Sequence, residues 1–230
     1  MILVSGGIKG GSGKTTLATN LTVMRAMVDK KVMLIDADEQ YSASDWADQR
    51  EELKPNDLAT FSTIRMGGRN LHAQLDRLIS DHDDIIIDVG GRDTTSQRSA
   101  LVKADVFIVP FKPRSLDVWT IPILKSMISE VKAGNPKLKV IAVINQADSK
   151  GEDNQAALEI IASIPEIVCC PTFIGNRKCF GNASGEGLSI VEMKKKDQKS
   201  VQEMIDVYKF IYTGNMREIS KESIKDSLSI

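Results

Sequence analysis

Short apolar runs rich in β-branched residues alternate along this chain with segments in which apolar residues recur every three or four positions. Such runs are typical of buried strands, and such spacing is typical of amphipathic helices. Strands are predicted at residues 2–6, 31–35, 59–64, 85–88, 106–109, 140–145 and 167–170. Helical stripes include Leu71, Leu75, Leu78 and Ile79, then Leu124, Met127, Ile128 and Val131, and finally Val201, Met204, Ile205, Tyr208 and Tyr212. This alternation predicts an α/β fold, a doubly wound and mostly parallel sheet flanked by helices.

The length and composition fit a single domain. The 230 residues are expected to form one domain at 1–213, followed by a polar, serine-rich and flexible tail at 214–230. Lys and Arg number 30 and Asp and Glu 31, so nucleic-acid binding would need a local basic patch. No apolar run approaches the ~18 residues of a membrane span. The three cysteines show no C-x-x-C spacing, which predicts a reduced protein without disulfides. A strand is predicted at the N-terminus, where a signal peptide would otherwise lie, so a cytoplasmic protein is expected.

The first predicted strand leads into a glycine-rich turn that precedes a helical stripe. Residues 9–16 read Lys-Gly-Gly-Ser-Gly-Lys-Thr-Thr, a composition that lets backbone N–H groups surround phosphate oxygens. Ile8 stands where the strict G-x-x-x-x-G-K-[ST] pattern has its first glycine, and a second lysine follows it. The predicted nucleotide-binding residues here are Lys9, Gly10, Gly11, Ser12, Gly13, Lys14, Thr15 and Thr16.

Three aspartates follow predicted strands that should end beside this loop. Asp36 and Asp38 are two residues apart, so they are expected to point the same way, towards the phosphates. Asp88 ends a run of isoleucines and is expected to be buried, with Mg²⁺ as its partner through a water or Thr15. Gly90 and Gly91 follow it as a candidate nucleotide-sensing loop.

The loop with its second lysine is a deviant Walker A loop. Together with the I-D-x-D motif that contains Asp36 and Asp38, the Walker B strand that ends at Asp88, and Trp46, it makes the chain resemble the ParA/MinD superfamily of ATPases. The resemblance is closest to small ParA-type ATPases without an N-terminal DNA-binding domain. It implies an ATP- and Mg²⁺-dependent homodimer in which Lys14 holds its own nucleotide and Lys9 contacts the partner's phosphates. It assigns water activation to Asp38 and a Mg²⁺-shell or lysine-holding role to Asp36. Glu39 stands where the family usually has proline.

The same resemblance places Asn145 near the adenine, with Pro171 and Ile174 on the other wall of the base pocket. Structural roles in turns are an alternative for these residues.

The resemblance also implies nonspecific DNA binding through a C-terminal basic patch. It further implies that a ParB-like or adaptor partner stimulates hydrolysis, so that ATP-bound dimers on the nucleoid partition or position a cargo. The candidate patch comprises Arg177, Lys178, Lys194, Lys195, Lys196 and Lys199. A solvated surface is the alternative reading of these lysines.

Three rival functions share this loop. A MinD-like ATPase would cycle on a membrane, but the mixed charges of residues 219–226 give a poor amphipathic helix. An iron–sulfur carrier would need cysteines near Asp88, and none precedes Cys169. A small-molecule kinase or synthetase would need a substrate pocket and no DNA patch.

Overall fold

The structure, a computed structural model, describes residues 1–53, 58–91, 94–113, 120–149 and 152–213. Within these ranges the sheet runs in the order β3-β2-β4-β1-β5-β6-β7, and β8 pairs with β6 beyond the end of β7. Every strand pair is parallel, which confirms the predicted doubly wound sheet. The strands are β1 (Ile2–Ser5), β2 (Val32–Asp36), β3 (Ser62–Arg65), β4 (Asp84–Asp88), β5 (Val106–Phe111), β6 (Lys139–Ala147), β7 (Ile167–Cys169) and β8 (Ile174–Gly175).

Helices connect the strands and cover both faces of the sheet. Those in the described ranges are α1 (Lys14–Ala26), α2 (Ser42–Leu53), α3 (Leu71–Leu78), α4 (Thr95–Leu101), α5 (Thr120–Gly134), α6 (Glu152–Ala162), α7 (Lys178–Gly185) and α8 (Gln198–Thr213). No helix of these ranges is long and apolar enough to cross a bilayer. The predicted tail lies outside the described residues.

Strand side chains alternate between two apolar layers, one on each face of the sheet. In β1, Val4 packs into one layer and Leu3 into the other. In β4, Ile85 and Ile87 join the layer of Val4, whereas Ile86 joins that of Leu3. Because central parallel strands are buried on both faces, their sequences read as continuous apolar runs, and this made them predictable.

The parallel arrangement brings the carboxyl ends of β1, β2 and β4 to one edge of the sheet. Asp88 at the end of β4 is in register with Ser5 of β1 on one side and Asp36 of β2 on the other. The loops that leave these strands therefore meet at one place, where ligands bind in open α/β sheets.

A buried ion pair joins α2 to the segment that precedes the lysine triplet. The Arg50 guanidinium donates to both carboxylate oxygens of Glu192, at 2.5 and 2.7 Å, and the two side chains are 7% and 5% exposed. Arg50 also donates to the carbonyls of Ala59 and Gly187 and lies against the Trp46 ring. The guanidinium and the carboxylate of this buried pair are therefore both hydrogen-bonded.

The same segment is tied to α1. Asn20 Oδ1 accepts hydrogen bonds from the Ser189 hydroxyl at 2.7 Å and from the Ile190 N–H at 3.0 Å, and Trp46 of α2 donates to the Leu188 carbonyl. The chain between α7 and α8 is thus held by two helices that both begin at the site edge of the sheet.

We expect Glu192→Gln to lower the free energy of unfolding by about 3 kcal/mol, because it leaves the Arg50 charge buried without its carboxylate. Urea denaturation followed by circular dichroism would measure the change. The matched control is Asp76→Asn, which removes a carboxylate from the exposed Lys103–Asp76 pair and should cost less than ~1 kcal/mol. Equal losses in the two variants would contradict the structural role assigned to the buried pair.

Candidate nucleotide site

The glycine-rich loop connects β1 to α1, and its shape requires glycine. Gly11 and Gly13 have φ values of 68° and 95°, in the left-handed region that L side chains avoid. A Cβ on Gly13 would lie 2.0 Å from Nδ2 of Asn145. The loop therefore closes over the end of β6 with no room for a side chain at this point.

Two side chains from the end of β6 hold the loop from beneath. Asn145 donates from Nδ2 to the Ser12 carbonyl at 2.7 Å, and it is buried. Gln146 donates from Nε2 to the Gly11 carbonyl at 3.0 Å. These bonds occupy two loop carbonyls, and they do not use the loop N–H groups that an anion would need.

A buried glutamine on α4 holds the start of the loop. Gln97 accepts a hydrogen bond at Oε1 from the Gly7 N–H at 2.8 Å, and its amide nitrogen lies 3.1 Å from the Met127 sulfur. The side chain is completely buried. Sequence reasoning missed this residue because a single glutamine in a short helix gives no pattern that separates a buried amide from a surface one.

Lys14 begins α1 and is almost fully buried in the loop. Its Nζ donates to the Lys9 carbonyl at 3.2 Å. Burial lowers the pKa of Lys14 below its usual value, while the nearby carboxylates of Asp88 and Asp38 act in the opposite direction. Lys9 itself is half-buried at the start of the loop.

Asp88 is the most perturbed group of the site. Its Oδ2 accepts a hydrogen bond from the Thr15 hydroxyl at 2.6 Å, while its buried Oδ1 has no protein partner in the described structure. Burial raises the pKa of Asp88 from 3.8 to about 7; the Thr15 hydrogen bond and Lys14 lower it in part, and Asp36 raises it further. A cation beside the unpartnered oxygen would reverse this effect of burial.

Asp36 and Asp38 occupy different environments, although they are only two residues apart. Asp36 is buried, and its two carboxylate oxygens accept from the N–H groups of Asp38 at 3.1 Å and Ser44 at 2.7 Å. It therefore shapes the turn into α2. Asp38 is half-exposed and lines the cleft, where its Oδ1 accepts from the Gln40 N–H. A metal role for Asp36 stays a prediction.

The Gly90–Gly91 loop touches both the phosphate loop and Asp38. A Cβ on Gly91 would lie 2.7 Å from the Gly10 Cα and 3.0 Å from the Lys14 Nζ, and one on Gly90 would lie 3.3 Å from Asp38 Oδ1. This close approach explains the need for glycine at Gly91. The following residues, Arg92 and Asp93, lie outside the described residues.

These groups line one open cleft of about 790 Å³ at the carboxyl edge of the sheet. Thr94, Ser96 and Gln146 also line it, and none of them stood out in the sequence. Of the predicted residues, the cleft wall includes Gly10, Gly11, Gly13, Lys14, Thr15, Thr16 and Asp38.

None of the residues predicted for the adenine lines this cleft. Asn145 is used by the loop, and Ile174 of β8 is buried and pairs in register with Asn145. Pro171 is exposed in the turn before β8. Contacts of all three with a base stay predictions.

The predicted basic patch is only partly available as a surface. Lys194, Lys195 and Lys199 are exposed around the start of α8, together with Lys178, whereas Lys196 is half-buried. Arg177 is bound to the carboxylate of Glu203 and to Ser200 instead of facing solvent. This removes Arg177 from the set of free cationic side chains.

The donor set of the cleft fits Mg²⁺ held jointly by protein and phosphate oxygens. No group of three or more His, Cys, Asp or Glu side chains in the described ranges could hold a metal ion by itself. The unpartnered Asp88 oxygen and the adjacent Thr15 hydroxyl are hard oxygen donors, which suit a Mg²⁺ ion that takes its remaining ligands from phosphates and water.

The fold and this loop define a nucleotide-binding domain of the P-loop class. A family model described as "CobQ/CobB/MinD/ParA nucleotide binding domain" matches residues 3–190, so the chain belongs to this family. The chain is 25% identical over 212 residues to Maintenance of carboxysome distribution protein A of Halothiobacillus neapolitanus, covering 86% of this chain and 89% of that relative.

Solved structures share the fold. A putative plasmid partition protein of Borrelia burgdorferi bound to AMPPNP has a TM-score of 0.72 at 18% identity, covering 93% of this chain and 99% of the other. Cobyrinic acid a,c-diamide synthase of Mycobacterium smegmatis, with an ATP analogue and magnesium, has a TM-score of 0.72 at 18% identity, covering 94% and 97%. At these identities the likeness establishes the fold and not the activity.

The raised pKa of Asp88 predicts that the free domain loses stability as the pH rises. The folded chain keeps the Asp88 proton up to about pH 7, whereas the unfolded chain releases it near 3.8. The stabilisation present at low pH is therefore lost progressively above pH 3.8 and is nearly gone just above pH 7, with about 1.4 kcal/mol of it lost between pH 6 and pH 8.

Urea unfolding at the two pH values, without nucleotide or metal, would measure this loss. Asp88→Asn is the control, because it keeps the shape of the side chain but has no proton to release. A pH dependence that is identical in wild type and Asp88→Asn would show that the Asp88 carboxyl is not buried in its neutral form.

Proposed function

We propose that this chain is a Mg²⁺-dependent ATPase that dimerises on binding ATP, binds DNA without sequence preference, and partitions or positions a cargo. The observation that carries the proposal is that Lys14, Thr15 and Asp38 line one cleft beside a phosphate loop, with the buried Asp88 hydrogen-bonded to Thr15. The family supports the nucleotide, and the relative named for carboxysome distribution supports the positioning role.

Each side chain has a distinct task in this scheme. The loop N–H groups and Lys14 hold the β- and γ-phosphates, and Thr15 and Asp88 hold Mg²⁺. The metal supplies positive charge that stabilises the transferring phosphoryl group. Asp38, on the opposite wall, accepts a hydrogen bond from the attacking water and orients it.

Lys9 is assigned to the partner's nucleotide. Its carbonyl binds the chain's own Lys14, so the backbone of residue 9 already belongs to the local loop. A lysine side chain at the start of that loop can extend across a two-fold interface and stabilise the charge that develops on the partner's phosphates. ATP then joins the two subunits, and hydrolysis separates them.

Asp38→Ala is expected to hold the protein as an ATP-bound dimer, because water is no longer oriented while the phosphate contacts remain. Light scattering after gel filtration with Mg²⁺ and ATP would detect the dimer, and phosphate release would fall by at least about 100-fold. Lys14→Ala is the control that should abolish nucleotide binding. An Asp38→Ala protein that binds ATP yet stays monomeric would refute the assigned role.

The same assay applied to Lys9→Ala separates the role of Lys9 from that of Lys14. It should bind ATP nearly as well as wild type when monomeric but hydrolyse it at least about tenfold more slowly. Undiminished turnover in Lys9→Ala would show that Lys9 does not stabilise the charge on the partner's phosphates. It would not affect the conclusion drawn from Asp38→Ala.

The DNA-binding surface is assigned to Lys194, Lys195 and Lys199, with Lys178 beside them. Changing Lys194, Lys195 and Lys199 together to Gln should weaken ATP-dependent binding to any DNA duplex and reduce the slope of log K against log salt by about two to three per subunit. Fluorescence anisotropy with two duplexes of unrelated sequence would measure both effects. Changing the more distant exposed residue Lys125 to Gln is the control, and an unchanged slope in the triple variant would refute the assignment.

The same preparation tests the rival functions. Retention on anionic liposomes and not on DNA would favour a MinD-like membrane cycle. Retention on neither would favour a synthetase, for which the shared fold with cobyrinic acid a,c-diamide synthase gives a precedent. Under the proposed function the protein is cytoplasmic and nucleoid-associated, and a ParB-like or adaptor protein bound to the cargo accelerates hydrolysis.

A further inference from the structure

The sheet ends at β3 with one side of that strand open in the described structure. β3 is the terminal strand, and within the described ranges it pairs only with β2. All four of its side chains are exposed, including Ile64 at 40%. An edge strand of this kind offers backbone hydrogen-bonding groups to another chain.

The hydrogen-bond pattern shows which backbone groups face outward. The Met66 N–H donates to the Asp36 carbonyl of β2, so even-numbered residues of this strand direct their backbone groups at β2. Because the direction alternates along a strand, the N–H and C=O groups of Thr63 and Arg65 point away from the sheet. Two donors and two acceptors are thus spaced as an added strand requires.

The flank of this edge is acidic. Asp45 and Asp48 on α2 are 70% and 75% exposed, and both approach the Arg65 guanidinium, at 3.2 and 3.3 Å. One arginine thus faces two carboxylates, and Glu51 and Glu52 lie exposed on the same helix. Side chains of an added strand on this face would meet net negative charge.

The edge also leads to the nucleotide site. A cavity of about 420 Å³ lies at the carboxyl end of β3 and is lined by Arg65, Met66 and Asp38. A segment bound along β3 would end beside this cavity, so its terminal side chain would lie close to the cleft.

We propose that the outer edge of β3 is a docking site for an extended, basic segment of another protein, which adds to the sheet as a further strand. Backbone bonds to Thr63 and Arg65 would supply affinity, and Lys or Arg side chains opposite Asp45 and Asp48 would select a basic partner. This inference concerns the sheet edge alone and holds whether or not the chain hydrolyses ATP.

Thr63→Pro tests the docking geometry directly. Proline removes the outward N–H and places a ring on the edge, but it leaves the bonds to β2 intact, since residue 63 does not donate to that strand. The probe is a fluorescein-labelled alternating Lys-Val octapeptide, and an alternating Glu-Val octapeptide is its control. We expect Thr63→Pro to weaken binding of the Lys-Val peptide at least about tenfold, and Thr63→Val, which keeps the N–H, to change it less than about twofold.

Charge and backbone readouts complete the test. Asp45→Asn with Asp48→Asn should weaken the Lys-Val complex and flatten its salt dependence. In hydrogen exchange, the amides of Thr63 and Arg65 should become protected when the peptide binds, a measurement on the wild type that does not depend on how Thr63→Pro folds.

The proposal is overturned by equal binding of the two peptides, by undiminished binding to a folded Thr63→Pro protein, or by unprotected Thr63 and Arg65 amides in the complex. A further outcome would also overturn the proposal: the protein dimerises without peptide, and Thr63→Pro abolishes the dimer. That result would favour pairing between the β3 strands of two copies.

Discussion

The phosphate loop cannot hold its own shape, and the rest of the site depends on how that shape is held. A loop rich in glycine has no side chains to fix its carbonyls, and an anion-binding loop must keep those carbonyls away from the anion. Here the hydrogen bonds come from outside the loop. Asn145 and Gln146 hold Ser12 and Gly11, Gln97 holds Gly7, and the Ser5 hydroxyl binds the Lys14 carbonyl.

These contacts explain which parts of the molecule could be predicted from its sequence. The central strands were predictable because burial on both faces leaves an uninterrupted apolar run, and the loop and Asp88 follow from motifs tied to such strands. At the edge of the sheet, where the side chains of β3 are all exposed, the predicted strand at 59–64 differs from the observed Ser62–Arg65. The two-residue β8 and the helices α2, α4, α6 and α7 were not predicted, since they are short or lack an apolar stripe. In α2 the buried face includes Arg50, whose partner Glu192 lies far away in the sequence.

The site residues divide in the same way. Asp88 and Lys14 act where their own strand and loop place them, so local sequence was sufficient. Asn145 and Asp36 were recognised as important, but in the structure Asn145 binds a backbone group of the distant phosphate loop, and Asp36 binds backbone groups of the turn that follows it. A polar residue at a strand end can serve a ligand or a neighbouring loop, and nothing local to the residue separates these uses.

The distribution of charge constrains how DNA could approach the lysine segment. Arg50 of α2 holds Glu192, two residues before Lys194, so the basic segment begins beside a helix that exposes Asp48, Glu51 and Glu52. Opposite charges within the ~8 Å screening length of physiological salt partly cancel at the surface. A phosphate backbone is therefore attracted only where it lies over the lysines and clear of α2. Under the proposed function, one such patch on a chain of net charge −1 would bind weakly, and two patches joined in a dimer would bind far more tightly without any new contact. Weak DNA binding by the monomer would then let a nucleotide-controlled dimer act as an effective switch.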